Sequence, residues 1–217
     1  MHKFHRLIYV AIQILLTLML LVYIFLETYE HSSDQKRQRL NYRLTKVEFD
    51  LIEDGDIVLR HGYGLVSDMI VNTLNESFSI SHCAIVVKDD SSAHVIHSVS
   101  QSLSDYDGVQ IQDLRPFINN SKKNSVIVIR FNKSEDRHLI SERARYYLSK
   151  RVPFDSSFDI KDTSKFFCSE LIWRIILDAF DVDIFESKYE KGHLELLKFD
   201  IFVDSNYFDL VFSHQDF

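Results

Sequence analysis

Three residues in this sequence have types and spacing suited to nucleophilic chemistry: Cys168, His82 and His97. Cys168 lies in Phe-Phe-Cys-Ser-Glu-Leu-Ile (166–172), ahead of a run in which Leu171, Ile172, Ile175, Ile176 and Ala179 share one helical face. That run predicts a helix from about Phe166 to Phe180, capped by Ser164, with the cysteine in its first turn. There the helix dipole and the free backbone N–H groups favour a thiolate, the form in which cysteine attacks a carbonyl. Taken alone, a cysteine on an amphipathic helix is more simply read as a small apolar filler.

His82 opens the run Ser-His-Cys-Ala-Ile-Val-Val, and His97 lies in His-Val-Ile-His-Ser-Val. Asp89-Asp90-Ser91-Ser92 between them is a turn signal, so the two runs predict an antiparallel hairpin. A two-residue turn at 89–90 sets His82 directly opposite His97, and a four-residue loop over 89–92 sets them on a diagonal. Both registers put the imidazoles on one face of the sheet. Such a pair suits a general base and a neutral partner that fixes its tautomer. For the hairpin alone, two satisfied histidines on a half-buried face are the simpler account. Alternation turns Cys83 to the opposite face, as core, and turns His94 away from His97, as a surface residue. His82 and His97 with His61 or Cys168 would make a zinc site, but no His-x-x-x-His or Cys-x-x-Cys pair anchors one. A Cys83–Cys168 disulfide is another use of the two cysteines. The cysteine–histidine reading requires neither a metal nor a cofactor.

The elements that must position these residues read as an α+β domain over 47–217. Strands are predicted at Ile57–Arg60, Ala84–Lys88, His94–Val99, Val109–Leu114 and Val126–Phe131. A helix is predicted over Ser134–Lys150, capped by Ser134, with Leu139, Ile140, Ala144, Tyr147 and Leu148 inward, and Phe199–Ser213 adds an edge strand. Ahead of the domain, Leu7–Leu26 contains no Asp, Glu, Lys or Arg, and its roughly 20 residues at about 1.5 Å each match a hydrocarbon core of about 30 Å. No small-residue cleavage site follows, so residues 1–29 read as one transmembrane anchor and 30–46 as a polar juxtamembrane linker. Lys3 and Arg6 before the span favour an inside N-terminus and an extracytoplasmic domain, although Lys36, Arg37 and Arg39 follow it.

Composition narrows the function classes. With 17 Phe and 10 Tyr among 217 residues the chain carries the core of a globular protein rather than of a disordered one. A formal net charge of −7 argues against nucleic acid as partner. Five glycines include no phosphate-cradling pattern, and two cysteines cannot form a zinc site of four thiolates.

Four segments in one order resemble the permuted NlpC-type, papain-like cysteine hydrolases of the YiiX/YaeF-like group: Glu-Asp-Gly-Asp-Ile-Val-Leu-Arg (53–60), Phe-Ser-Ile-Ser-His-Cys-Ala-Ile-Val-Val (78–87), Val-Pro-Phe-Asp-Ser-Ser-Phe-Asp (152–159) and Phe-Phe-Cys-Ser-Glu-Leu-Ile (166–172). The resemblance implies a circularly permuted fold with a small antiparallel sheet packed on helices, in which the histidine precedes the cysteine in sequence. It implies Cys168 as nucleophile, His82 as base and His97 in the third position, where the group usually carries a glutamate. A histidine there is similar to the related lecithin–retinol acyltransferase branch. The expected function is a membrane-anchored cysteine hydrolase acting on amide bonds, in cell-wall peptides or lipid-linked amides. A lipid acyltransferase or thioesterase on the same residues, and a non-catalytic binding module, are the alternatives. Ser81 and Tyr63 are candidate pocket residues, and Asp155 and Asp159 are read as shaping the loop before the cysteine helix.

Overall fold

The computed structural model describes residues 2–40, 42–89 and 92–215, with side chains from residue 4 onward. Asp90 and Ser91 of the expected turn, and the Lys3 side chain used for orientation, lie outside the described residues. Six strands form one antiparallel open sheet in the order β4-β3-β2-β1-β5-β6: β1 Ile57–Arg60, β2 His82–Lys88, β3 Ala93–Val99, β4 Gly108–Asp113, β5 Ile127–Phe131 and β6 Phe208–Ser213. All five strands expected before residue 132 form within two residues of their expected limits, and the tail supplies the edge strand. The first half of the expected tail strand is instead a 3-10 turn over Asp200–Val203, which buries Ile201 and Phe202.

Strand alternation gives the sheet two apolar faces, each covered by helices. Ile57, Leu59, Cys83, Ile85, Val87 and Ile96 face α5 (His138–Lys150) and α6 (Cys168–Phe180). Val58, Ala84, Val86 and Val95 face the short helices α2 (Lys46–Leu51) and α4 (Leu114–Asn119), where Leu114, Phe117 and Ile118 are buried. Neither short helix is predicted by periodicity, because six residues hold too few turns for a helical pattern to emerge.

Both long domain helices begin later than expected. Ser134 spends its hydroxyl on Asp136 N (3.1 Å) in a preceding turn, and α5 starts at His138. Ser164 bonds Asp162 rather than capping α6. Phe166 is held extended, donating to Pro153 O (3.1 Å) and accepting from Asp155 N (3.3 Å), so the helix opens at the cysteine itself. Asp155 is fully buried and accepts from Ser157 N (2.9 Å) and Asp159 N (2.6 Å), folding the loop ahead of α6.

The N-terminal helix α1 runs His2–Leu40 without a break, and Phe4–Leu40 is long and apolar enough to cross a membrane. Its helical course continues through the polar segment after Leu26. There Tyr29 donates to Asp68, Glu30 Oε1 accepts from Leu65 N (2.8 Å), and Ser33 Oγ accepts from Gly64 N (2.8 Å). The Glu30 and Ser33 contacts satisfy backbone amides at the start of α3 (Leu65–Leu74), a helix absent from the sequence expectations.

Gly108 opens β4 at φ +84°, and a Cβ there would strike the carbonyl of Val152 and the backbone of Pro153, just ahead of the Asp155 loop. Gly108→Ala is expected to destabilise the chain by about 2–4 kcal/mol, measured as a lowered urea midpoint in neutral detergent, because both the backbone conformation and the close approach exclude a side chain.

Candidate active site

The β2–β3 hairpin closes through a four-residue loop, with Lys88 paired to Ala93 and Ile85 to Ile96. This register sets His82 and His97 on a diagonal of the α4 face, where His82 Nε2 and His97 Nδ1 lie 2.8 Å apart. The Phe117 ring of α4 packs against both imidazoles, with centroids 5.9 Å from His82 and 5.5 Å from His97. Arg60, paired with His82 across β1–β2, lays its guanidinium over the same ring at 4.0 Å and donates from Nη1 to Phe117 O (2.9 Å). Burial, the neighbouring His97 and the Arg60 charge hold His82 well below the ordinary histidine range. Burial and Arg60 push His97 down to about 3. Both rings are therefore neutral at neutral pH.

Cys168 arrives from the other face, at the first residue of α6. Its thiol is held below the ordinary value first by a hydrogen bond from the Cys83 thiol and, against burial, by the backbone N–H groups of Cys83, Ser169 and Cys168. Burial pushes the Cys83 thiol well up, so Cys83 is the proton-bearing partner. Both cysteines are free. Glu170 contributes to the helix start by accepting from Phe167 N (3.4 Å).

Cys168, His82 and His97 open onto one cavity of about 550 Å³ at the end of the sheet where β1 and β3 finish and β2 begins. Ser81 and Tyr63 also line it. Among the described residues, Cys168 has no hydrogen bond to either imidazole; its sulfur is engaged by Cys83. His61 is turned away to Asp68 (2.8 Å), and His94 pairs with Asp113 (3.1 Å) at the surface. Arg60, Phe117 and Cys83 are the neighbours that sequence reasoning did not assign to the site. The signal for Arg60 was a charge ending the otherwise apolar strand Ile-Val-Leu-Arg; for Phe117, inside a six-residue helix, there was none.

The chain thus places a cysteine at a helix start and two histidines on an adjacent strand pair, at the end of an open antiparallel sheet flanked by helices. The chain belongs to the permuted papain-like amidase family of the YaeF/YiiX type, peptidase family C92, whose family model matches residues 51–193. The fold is similar to the crystal structure of the metalloprotein yiiX from Escherichia coli O157:H7, at 19% identity and a TM-score of 0.56, over 74% of this chain and 97% of that one. No curated protein sequence matches the chain. Among the described residues no three His, Cys, Asp or Glu side chains gather so as to hold a metal ion.

The depressed imidazoles predict a pH dependence of stability. On unfolding, His97 gains protons below about pH 6.5, whereas the folded chain leaves it neutral down to about 3. Its contribution is complete above about pH 6.5 and is lost as pH falls from there towards 3. Glu170, raised to about 8 by burial, acts in the opposite direction as pH rises through 4.5 to 8. Comparing urea midpoints of the native chain and His97→Gln between pH 7.5 and 5 isolates the imidazole. The native chain should lose more stability on acidification than the variant.

Proposed function

We propose that the chain is a membrane-anchored cysteine amidase in which Cys168 is the nucleophile, His82 the base and His97 the residue that orients His82. The observation that carries this reading is the Cys168 sulfur at a helix start, surrounded by N–H donors and sharing one cavity with a hydrogen-bonded, neutral histidine pair. In the tautomer this mechanism requires, His82 Nε2–H donates to His97 Nδ1 and His82 Nδ1 takes the thiol proton. The thiolate attacks the amide carbonyl carbon and forms a C–S bond, and the backbone N–H groups of Cys168 and Ser169 receive the oxyanion. The C–N bond breaks as His82 gives its proton to the departing amine. Water then adds to the acyl-enzyme, His82 takes its proton, and the C–S bond breaks to release the acid.

The hydrolase domain spans 47–217, and α1 is its anchor rather than a removed signal sequence. Supporting the anchor reading, Ser33 is buried, Tyr29 and Glu30 hold α3, and Arg37 lines the catalytic cavity. Cleavage after the apolar stretch would free these contacts from their helix. Lys3 and Arg6 ahead of the span support a domain on the outer side of the cytoplasmic membrane. The substrate is an amide within reach of that surface, a cell-wall peptide or a lipid-linked amide. A second reading, acyl transfer to an acceptor other than water, is favoured by a histidine rather than a carboxylate in the third position.

The test is hydrolysis of a panel of peptidyl and long-chain acyl anilides by the full chain in neutral detergent. Cys168→Ala should abolish turnover of the best substrate, and His82→Ala should lower it by about 10²–10⁴-fold. Full hydrolysis by Cys168→Ala would overturn the reading. An acylated product on an added amine or alcohol would favour transfer.

A further inference from the structure

The catalytic cavity is electrostatically one-sided. The chain carries 32 Asp and Glu against 25 Lys and Arg, yet among the described residues no carboxylate lines this cavity, whereas Arg37 and Arg60 both do. Arg37 is paired with Asp34 (3.0 Å). Arg60 has no carboxylate partner among the described residues. Its Nη1 is satisfied by Phe117 O and its face by the Phe117 ring, but its Nε is buried without a hydrogen-bond partner. Two further residues that line the same cavity hold buried unpartnered polar atoms, Tyr63 Oη and His97 Nε2.

A buried cation without a counter-ion is unfavourable, and so is each buried donor left unbonded. Three such groups around one cavity are relieved together by an oxygen-rich anion. It would accept from Arg60, Tyr63 and His97 and neutralise a charge that otherwise repels a proton on His82. We propose that Arg60, with Tyr63, forms an anion subsite of the catalytic cavity, so that the substrate carries a carboxylate or phosphate group beside its scissile amide. This deepens the amidase reading and rests on Cys168 being the nucleophile. It narrows the substrate to anionic amides, and it makes binding of the substrate's own charge a condition for a protonated His82.

Cys168 alkylation tests this without a known substrate, using peptide mapping to separate Cys168 from Cys83. Iodoacetate and iodoacetamide form the same C–S bond and release the same iodide, but only the first carries a carboxylate. In the full chain in neutral detergent, the ratio of iodoacetate to iodoacetamide rates should fall about tenfold or more in Arg60→Gln, and less in Arg60→Lys, as expected for a charge-assisted hydrogen bond. In the native chain, inorganic phosphate or acetate should slow iodoacetamide; the stronger protector identifies the preferred anion, and this arm does not depend on a variant that folds. A ratio equal in native and Arg60→Gln chains, with no protection by either anion, would overturn the subsite. A Cys168 that reacts with neither reagent would instead contradict the nucleophile. The subsite would then be judged by phosphate-induced shifts of the His82 and His97 imidazole NMR signals, expected in the native chain and lost in Arg60→Gln; no shifts would overturn it.

Discussion

Lys88 pairs with Ala93, Val86 with Val95 and Ile85 with Ile96, and that register decides everything the cavity can do. A slip of one residue would turn His97 to the α6 face and bring Ile96 to the α4 face, breaking the bond between the imidazoles. The hydrogen bond itself is worth only about 1 kcal/mol, so it cannot hold the register. The alternating apolar residues can. Val95 and Ile96 are fully buried on opposite faces, and exchanging them against α4 and α6 would disrupt both cores at once. The geometry of the histidine pair is thus a by-product of packing a two-faced sheet.

The second organising fact is the division of labour between those faces. The α6 face brings the cysteine into a set of N–H and S–H donors, which favours negative charge on sulfur. The α4 face gathers Arg60, His82 and His97 around Phe117, which disfavours positive charge on the imidazoles. The two halves meet at the end of the sheet, in a cavity whose wall includes Arg37 from the apolar N-terminal helix. That helix is joined to the domain through Asp68, which also engages His61 and Lys122, so the attachment involves the same β1–α3 connection that follows Arg60.

Much of this was legible in the sequence because it follows from alternation and from punctuation. The five expected strands and the shared face of His82 and His97 come from a period of two and a turn signal, and the structure reproduces them; of the two loop lengths left open, it takes the four-residue one. The helix starts were less legible. Ser134 and Ser164 have the chemistry of caps, but nearby backbone and aspartate partners claim their hydroxyls. The proximity of Cys83 to Cys168 entered only as a candidate disulfide, whereas the two are free thiols side by side; alternation says that Cys83 leaves the histidine face, not which helix meets it there. Phe117 and the α1–α3 contacts were hidden for the same reason: they join segments far apart in sequence through tertiary packing, which leaves no local period.

The central claim is a cysteine activated for attack with His82 as its proton acceptor, and the pH dependence of Cys168 alkylation by iodoacetamide tests it most directly. The full chain and His82→Ala would be compared in neutral detergent by peptide mapping. The account predicts a rate that titrates well below the ordinary thiol value of about 8.5 and slows markedly when His82 is replaced. A rate that follows an ordinary thiol and is indifferent to His82 would contradict it.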